Sequence, residues 1–201
     1  MIIVISSDKA PKQEPSYINK MFANGLDLFH LRKYEMGDVE LKMFVEKIDR
    51  PYRERLVLHH QHHLAKEWGI TRLHFGADAR NRAADLPYRS AFLLSTSVHC
   101  IRDFNRLEDH WSYAFLSPVF ASISKRGYGK NSNVFHSLID REKSNIQLIG
   151  LGGIHCGNCE EVLKKGVDGI ALMGGVWQNQ HPLNAFIDVK RKTDRFKHSR
   201  L

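Results

Sequence analysis

The chain has 201 residues, enough for one domain with a full hydrophobic core. No run of 18 apolar residues occurs, which excludes an ordinary membrane-spanning helix, and three cysteines (Cys100, Cys156, Cys159) argue against a disulfide framework. The formal charge of +8 gathers partly in Lys190-Arg191-Lys192 and from Arg195 to Arg200; with scattered aromatics and no RNA-binding or helix-turn-helix pattern, it points to anionic metabolites, with neither nucleic acid nor membrane as partner.

Short β-branched runs alternate with amphipathic segments. Ile2–Ser6 opens as a strand with no basic leader before it, so no signal peptide is expected and the expected location is cytoplasmic. Further strands are expected at Leu28–Leu31, Leu56–Leu58, Arg72–Phe75, Phe92–Ser95, Tyr113–Leu116, Gln147–Gly150 and Gly169–Leu172. Helices are expected near Pro15–Asn24, Val39–Lys47, His62–Trp68, Arg102–His110, Phe135–Ile139, Cys156–Lys165 and Pro182–Arg191, with Arg80–Tyr88 only a turn. Eight apolar strands with helical crossovers read as an α/β fold, a single (β/α)8 TIM barrel over residues 1–201, with a basic, solvated tail from about residue 193. An open doubly wound sheet is the alternative, but its Gly-rich first turn is replaced by Ser6-Ser7-Asp8.

The last two strands carry the strongest functional signal. Leu148-Ile149-Gly150-Leu151-Gly152-Gly153-Ile154 and Gly169-Ile170-Ala171-Leu172-Met173-Gly174-Gly175 each leave a strand through glycines, where main-chain amides approach an anion unobstructed. In a barrel this is the usual phosphate site, so Gly152, Gly153, Met173 and Gly174 are expected to hold a phosphate.

The other strand ends supply His30 and Arg32, His59 and His60, His74 and Asp78, Ser97 and His99, then Ser122, Ser124 and Lys125. Arg32 and Lys125 suit a phosphate or diphosphate, one as a planar fork and one as a point charge, with Ser122 and Ser124 as hydrogen-bond donors. The polar stretch 121–133 is a candidate lid. His59-His60-Gln61-His62-His63 admits a metal reading through His59, His60 and Asp78, against the simpler one of capping or solvated histidines. Cys156-x-x-Cys159 reads as two unrelated cysteines at a helix start.

Taken in order, Phe-His-Leu-Arg (29–32), Leu-His-Phe-Gly (73–76), Ser-Thr-Ser-Val-His (95–99), Leu-Ser-Pro-Val-Phe-Ala-Ser-Ile-Ser-Lys (116–125), Gly-Leu-Gly-Gly-Ile (150–154) and Gly-Val-Asp-Gly-Ile-Ala (166–171) resemble thiamine phosphate synthases and the related TenI-type thiazole tautomerases. The resemblance implies a transferase of thiamine biosynthesis. Its hydroxymethylpyrimidine diphosphate loses pyrophosphate, and the nitrogen of a thiazole phosphate captures the resulting cation. It also implies Mg²⁺ on the leaving group and pairing into a homodimer. In register, His30 stands for the family's glutamine, Arg32 for its arginine, Tyr34 for a lysine with Lys33 one place early, and His59-His60 for Asn-Asp. Ala79 stands for the magnesium aspartate, with Asp78 one place off. Both expected Mg²⁺ carboxylates are therefore absent, while Ser122-x-Ser124-Lys125 and the two glycine exits match. Tautomerases place a histidine where this chain has Pro118, so that reading needs His99 or His60 for proton transfer. A homologue that binds phosphate ligands without catalysis is the remaining alternative.

Overall fold

The computed structural model describes residues 1–7, 11, 13–83, 89–121, 123, 134, 136–142 and 145–198. Strands β1 (Ile2–Ile5), β2 (Leu28–Leu31), β3 (Leu56–Leu58), β4 (Arg72–Phe75), β5 (Leu93–Val98), β6 (Trp111–Leu116), β7 (Gln147–Leu151) and β8 (Gly169–Leu172) form a closed barrel in chain order. Each pairs in parallel with the next, and β8 returns to β1 with Ile2 opposite Ile170 and Val4 opposite Leu172. This is the (β/α)8 architecture expected from the strand pattern.

Period-two alternation divides each strand between two cores. Ile3, Ile5, Leu28, Val57, Tyr113, Phe115, Ile149 and Ala171 fill the barrel interior. Ile2, Val4, Phe29, Leu31, Leu56, Leu58, Leu148 and Ile170 face outward into the larger core beneath the helices. Both faces are buried, which is why the strands read as continuous apolar runs.

The outer layer comprises α1 (Glu14–Ala23), α2 (Asp38–Glu46), α3 (Ile101–Asn105), α4 (Cys159–Lys164), α5 (Gly174–Trp177) and α6 (Pro182–His198). In α1, Ile18, Met21 and Phe22 make the inward stripe. The helix stops at Gly25, whose φ of 87° allows Leu26 N–H to reach back to the Met21 carbonyl. In α6, Pro182, Ala185, Phe186, Val189 and Thr193 repeat at helical spacing. That stripe carries the helix to His198, so the residues expected to begin a solvated tail at about 193 are helical, and Thr193 is buried.

Several crossovers are less helical than the sequence pattern suggests: α3 stops at Asn105, short of His110, and the helix expected at Phe135–Ile139 is a 3₁₀ turn, His136–Asp140. The segment expected as a helix over His62–Trp68 is a 3₁₀ turn, His62–Leu64, followed by irregular turns. It lies between two left-handed residues, Gln61 at φ 54° and Gly69 at φ 69°, which break the helical backbone on either side. The connection after β4 is the 3₁₀ turn Ala77–Ala83. Cys159 is buried in the core with its thiol toward the Cys156 carbonyl, so the Cys-x-x-Cys pair is structural.

One buried ion pair ties α1 to the end of β2. Lys33 Nζ donates to a Glu14 carboxylate oxygen and, at 3.0 Å, to the Ser7 carbonyl; both side chains are at most 5% exposed. Removing one partner strands the other charge in a dry site. Glu14→Ala is expected to lower the unfolding free energy by about 3–5 kcal/mol, measured by urea denaturation; a loss below about 1 kcal/mol, the scale of an exposed pair, would show that Lys33 finds water instead.

Candidate functional site

At the carboxyl ends of the strands the barrel opens into a cavity of about 250 Å³. Its wall has two chemically different sectors. β2 to β5 contribute Arg32, His59, His74 and Ser97, whereas β6 to β8 and β1 contribute Phe115, Leu151, Ala171, Met173 and Ile5. Toward the carboxyl ends of β2 to β5 the inward positions turn polar, above Leu28 and Val57.

The amide end of the cavity is built by close packing of backbone. Past β6 the chain continues to pair with the exit of β7: Val119 N–H donates to the Leu151 carbonyl at 2.9 Å and Phe120 N–H to the Gly152 carbonyl at 3.1 Å. Gly152 (φ 104°) and Gly153 (φ 64°) lie against this segment. A Cβ at Gly152 would come within 2.9 Å of Pro118 Cα, and one at Gly153 within 2.3 Å of the Ala121 carbonyl oxygen. Across the cavity, Gly174 and Gly175 form the first turn of α5, where amides have no partner within a helix. A Cβ on Gly175 would meet the Ile154 carbonyl at 2.2 Å, so the two glycine exits abut. α5 is anchored by Trp177, whose Nε1–H donates to the Ile5 carbonyl at 2.7 Å. The other glycines of the C-terminal motif do a separate job. Gly169 is packed under the Met1 carbonyl, and Asp168 accepts from Leu148 N–H and Arg141 at the strand entrances.

The polar sector is a hydrogen-bonded cluster of histidines. His30 Nδ1 lies 2.8 Å from His59 Nε2, and His30 Nε2 lies 2.6 Å from Tyr113 Oη. The His59 and His74 rings stack with centroids 4.3 Å apart. Ser95 Oγ–H donates to the Leu73 carbonyl, so it accepts from His74 Nδ1–H at 3.0 Å and leaves His74 Nε2 with the lone pair, 3.0 Å from Ser97 Oγ. Burial opposes charge on all three rings. It holds His30 and His59 far below the ordinary histidine range and His74 at about 3, with neighbouring cationic groups adding to the effect. At neutral pH these are neutral imidazoles, each with one N–H donor and one lone pair.

The residues anticipated from sequence fall into three groups. Arg32, His59, His74, Gly152, Gly153, Met173 and Gly174 line the cavity; His30 stands behind His59, fully buried. Others are turned away. His60 points toward Tyr34, with ring centroids 5.2 Å apart, and neither of its ring nitrogens has a hydrogen-bond partner among the described residues. Exposed His99 bonds through Nδ1 to the Ser117 carbonyl at 2.9 Å and is not on the wall. Asp78 is exposed on the turn after β4. Among the described residues, the histidine that might pair with His60 and Asp78 as a metal ligand, His59, instead groups with His30 and His74. Ser122, Ser124, Lys125 and the lid they begin lie outside the described residues, apart from Ala121 and Ile123; Ile123 reaches the cavity wall. Lys33, one place from the expected second cation, is committed to Glu14. Missed by sequence reasoning were Tyr113 and Ser95, inward on their strands, and α5; the period-two register from His30 or Ser97 is the signal that finds the first two.

Residues 1–176 match the family model described as thiamine monophosphate synthase. The chain belongs to the thiamine monophosphate synthase family. Among similar proteins are the thiamine-phosphate synthases of Bacillus licheniformis (26% identical over 209 aligned positions, covering 98% of this chain and 91% of that protein) and Lysinibacillus sphaericus (21% identical, covering 98% and 96%). Solved structures sharing the fold include thiamine phosphate pyrophosphorylases from Bacteroides thetaiotaomicron (TM-score 0.79, 23% identity, covering 96% of this chain and 97% of that one) and Pyrococcus furiosus (TM-score 0.77, 18% identity, covering 97% and 96%).

Among the described residues, the donors on the cavity wall do not fit Mg²⁺. Magnesium takes hard oxygen ligands, usually carboxylates. Among the described residues the cavity wall carries imidazole, guanidinium, hydroxyl and amide groups and no carboxylate.

Two outcomes follow from this geometry. Gly153→Ala places a Cβ against backbone at a positive φ, so it is expected to cost about 1–3 kcal/mol of stability, visible in urea melts; a neutral substitution would mean that the loop after β6 yields freely. Acid should also weaken the fold. Histidines held below their unfolded value of 6.5, His74 at about 3 among them, leave the unfolded chain binding more protons, so their contribution is complete above 6.5 and is lost as pH falls toward 3. Each adds a slope of about 1.4 kcal/mol per pH unit within that window. Stability measured between pH 7 and 4.5 should therefore fall, and His74→Asn should make the fall shallower by one such increment.

Proposed function

We propose that this chain is a thiamine-phosphate-synthase-type enzyme that holds a thiazole phosphate at the amide end of the cavity. The single observation carrying this reading is the abutting pair of glycine exits, Gly152–Gly153 and Gly174–Gly175, on the wall of one cavity. Their amides offer donors to a phosphate dianion without any side chain between, and α5 adds its aligned first turn.

A ligand seated there extends its heterocycle across Leu151, Ala171 and Met173 toward the histidine sector. Arg32 stands at the opposite side, its backbone amide fixed at 2.7 Å by Ser6 Oγ and its guanidinium 5.4 Å over the Tyr34 ring. It is placed to hold the second, more highly charged substrate, a hydroxymethylpyrimidine diphosphate, with Ser122, Ser124 and Lys125 as the further phosphate contacts that the resemblance implies. In the coupling reaction the diphosphate leaves as an anion and the thiazole nitrogen takes its place on the pyrimidine methylene. With Arg32 as the only cation on the described wall, the ordinary Mg²⁺-dependent rate is expected to be low.

One observation favours a second reading, proton transfer on a bound thiazole. His59 and His74 are neutral imidazoles on the cavity wall, and His30 connects His59 to Tyr113. They, rather than His99 or His60, are the groups a tautomerase reaction would use here.

Titration calorimetry of the phosphorylated thiazole and the pyrimidine diphosphate, each against wild type and Arg32→Ala, tests the assignment. Loss of Arg32 should weaken the diphosphate by about 10–100-fold, the scale of a charge-assisted hydrogen bond, and leave the thiazole phosphate within about twofold. Failure of thiazole phosphate to bind the wild-type protein would end this proposal; rapid thiamine phosphate formation with Mg²⁺ would show that the missing carboxylates do not limit coupling.

A further inference from the structure

The His30–His59–His74 cluster has more organisation than a lining of neutral side chains requires. Each ring offers one nitrogen, and these nitrogens all lie within 4.8 Å of one another. They come from three adjacent strand ends, so the barrel backbone itself sets their spacing. The partners on the far sides of two rings are of the kind that orient metal-bound imidazoles. Ser95 Oγ takes the Nδ1 proton of His74, and Tyr113 Oη meets Nε2 of His30; the opposite ring nitrogens are His74 Nε2, 3.0 Å from Ser97 Oγ, and His30 Nδ1, 2.8 Å from His59 Nε2.

We infer that these three histidines form a binding site for a divalent transition-metal ion, zinc by preference, with a fourth position open to the ligand cavity. Imidazole is the ligand of the borderline ions and a poor one for Mg²⁺. Zinc bound by three histidines keeps one coordination position for water or substrate. Ligand nitrogens on a tetrahedral ion with Zn–N of about 2.0–2.1 Å lie about 3.3 Å apart. The ion therefore parts His30 and His59 by roughly 0.5 Å and draws the farthest pair together by at most roughly 1.5 Å. His59 and His74 line the cavity while His30 closes the cluster from behind, so the open position faces the ligand. Three neutral ligands leave the ion its full double charge, which an anionic oxygen of a phosphorylated ligand would complete. The site is distinct from the surface run, since His62 bonds to the Leu58 carbonyl and His63 pairs with Asp38.

Tag-free protein stripped with a chelator and dialysed against Zn²⁺ provides the test, with Co²⁺ as a spectroscopic probe and no phosphorylated ligand present. The expected result is one equivalent of zinc and a Co²⁺ spectrum with the intense visible bands of a four- or five-coordinate ion. His30→Gln and His59→Ala should each weaken zinc by at least about 100-fold, since loss of supporting partners alone costs about 10–100-fold, and His63→Ala should leave it within about twofold. Circular dichroism establishes that the variants are folded; should His30→Gln fail to fold, His59→Ala at the cavity wall decides. No zinc on the wild-type protein, wild-type affinity in a folded ring variant, or loss of zinc in His63→Ala would each overturn the inference. Because no substrate is present, failure here leaves the thiazole phosphate assignment standing, and failure of that assignment leaves this one.

Discussion

The mouth of this barrel depends on one backbone contact, the approach of residues 118–121 to the glycines that follow β7. Sheet pairing continues past the end of β6 through the amides of Val119 and Phe120, and it does so only because Gly152 and Gly153 carry no side chain. That contact sets the cavity's amide end, and Gly175 under the Ile154 carbonyl brings α5 against it. The glycines thus have two duties that sequence inspection merges into one: they allow two chain segments to touch, and they leave amides facing the cavity. The first explains why a substituent at Gly153 disturbs folding before it reports on any ligand.

Against this rigid end stands a sector of the barrel interior that has exchanged apolar packing for hydrogen bonds. Tyr113 marks the border, packed among the interior hydrophobics yet bonded to His30. Burial raises the pKa of its hydroxyl and lowers those of the histidines, so every member of the network is neutral and the network carries polarity without net charge.

The fold was legible in the sequence because closure of a parallel barrel requires strands buried on both faces, and such strands appear as unbroken apolar runs. Four of the eight, Leu28–Leu31, Leu56–Leu58, Arg72–Phe75 and Gly169–Leu172, begin and end where the pattern places them. The polar continuation of β5 through Ser97 was less visible, because its inward residues serve the cluster and break the apolar run. The site was legible in part. Strand-end position identified His59, Arg32 and the glycines, but position alone cannot say which way a residue beyond a strand turns. His59 and His60 are neighbours in sequence and face opposite ways, and Lys33 is drawn from the mouth by a glutamate nineteen residues earlier. Pairings of that kind have no local signature.

The departures from the family pattern also have a common direction. If His30 had replaced glutamine by unconstrained drift, a buried imidazole would be left with unmet nitrogens, at a cost of about 1–3 kcal/mol each. Instead both nitrogens of His30 and both of His74 have partners, supplied by residues on β3, β5 and β6. Outside the cluster, ring nitrogens of His60 and His110 are buried without a partner among the described residues. A network joining side chains from five neighbouring strands is the product of several matched positions. That matching is what distinguishes a cluster built as a unit from histidines that happen to be neighbours.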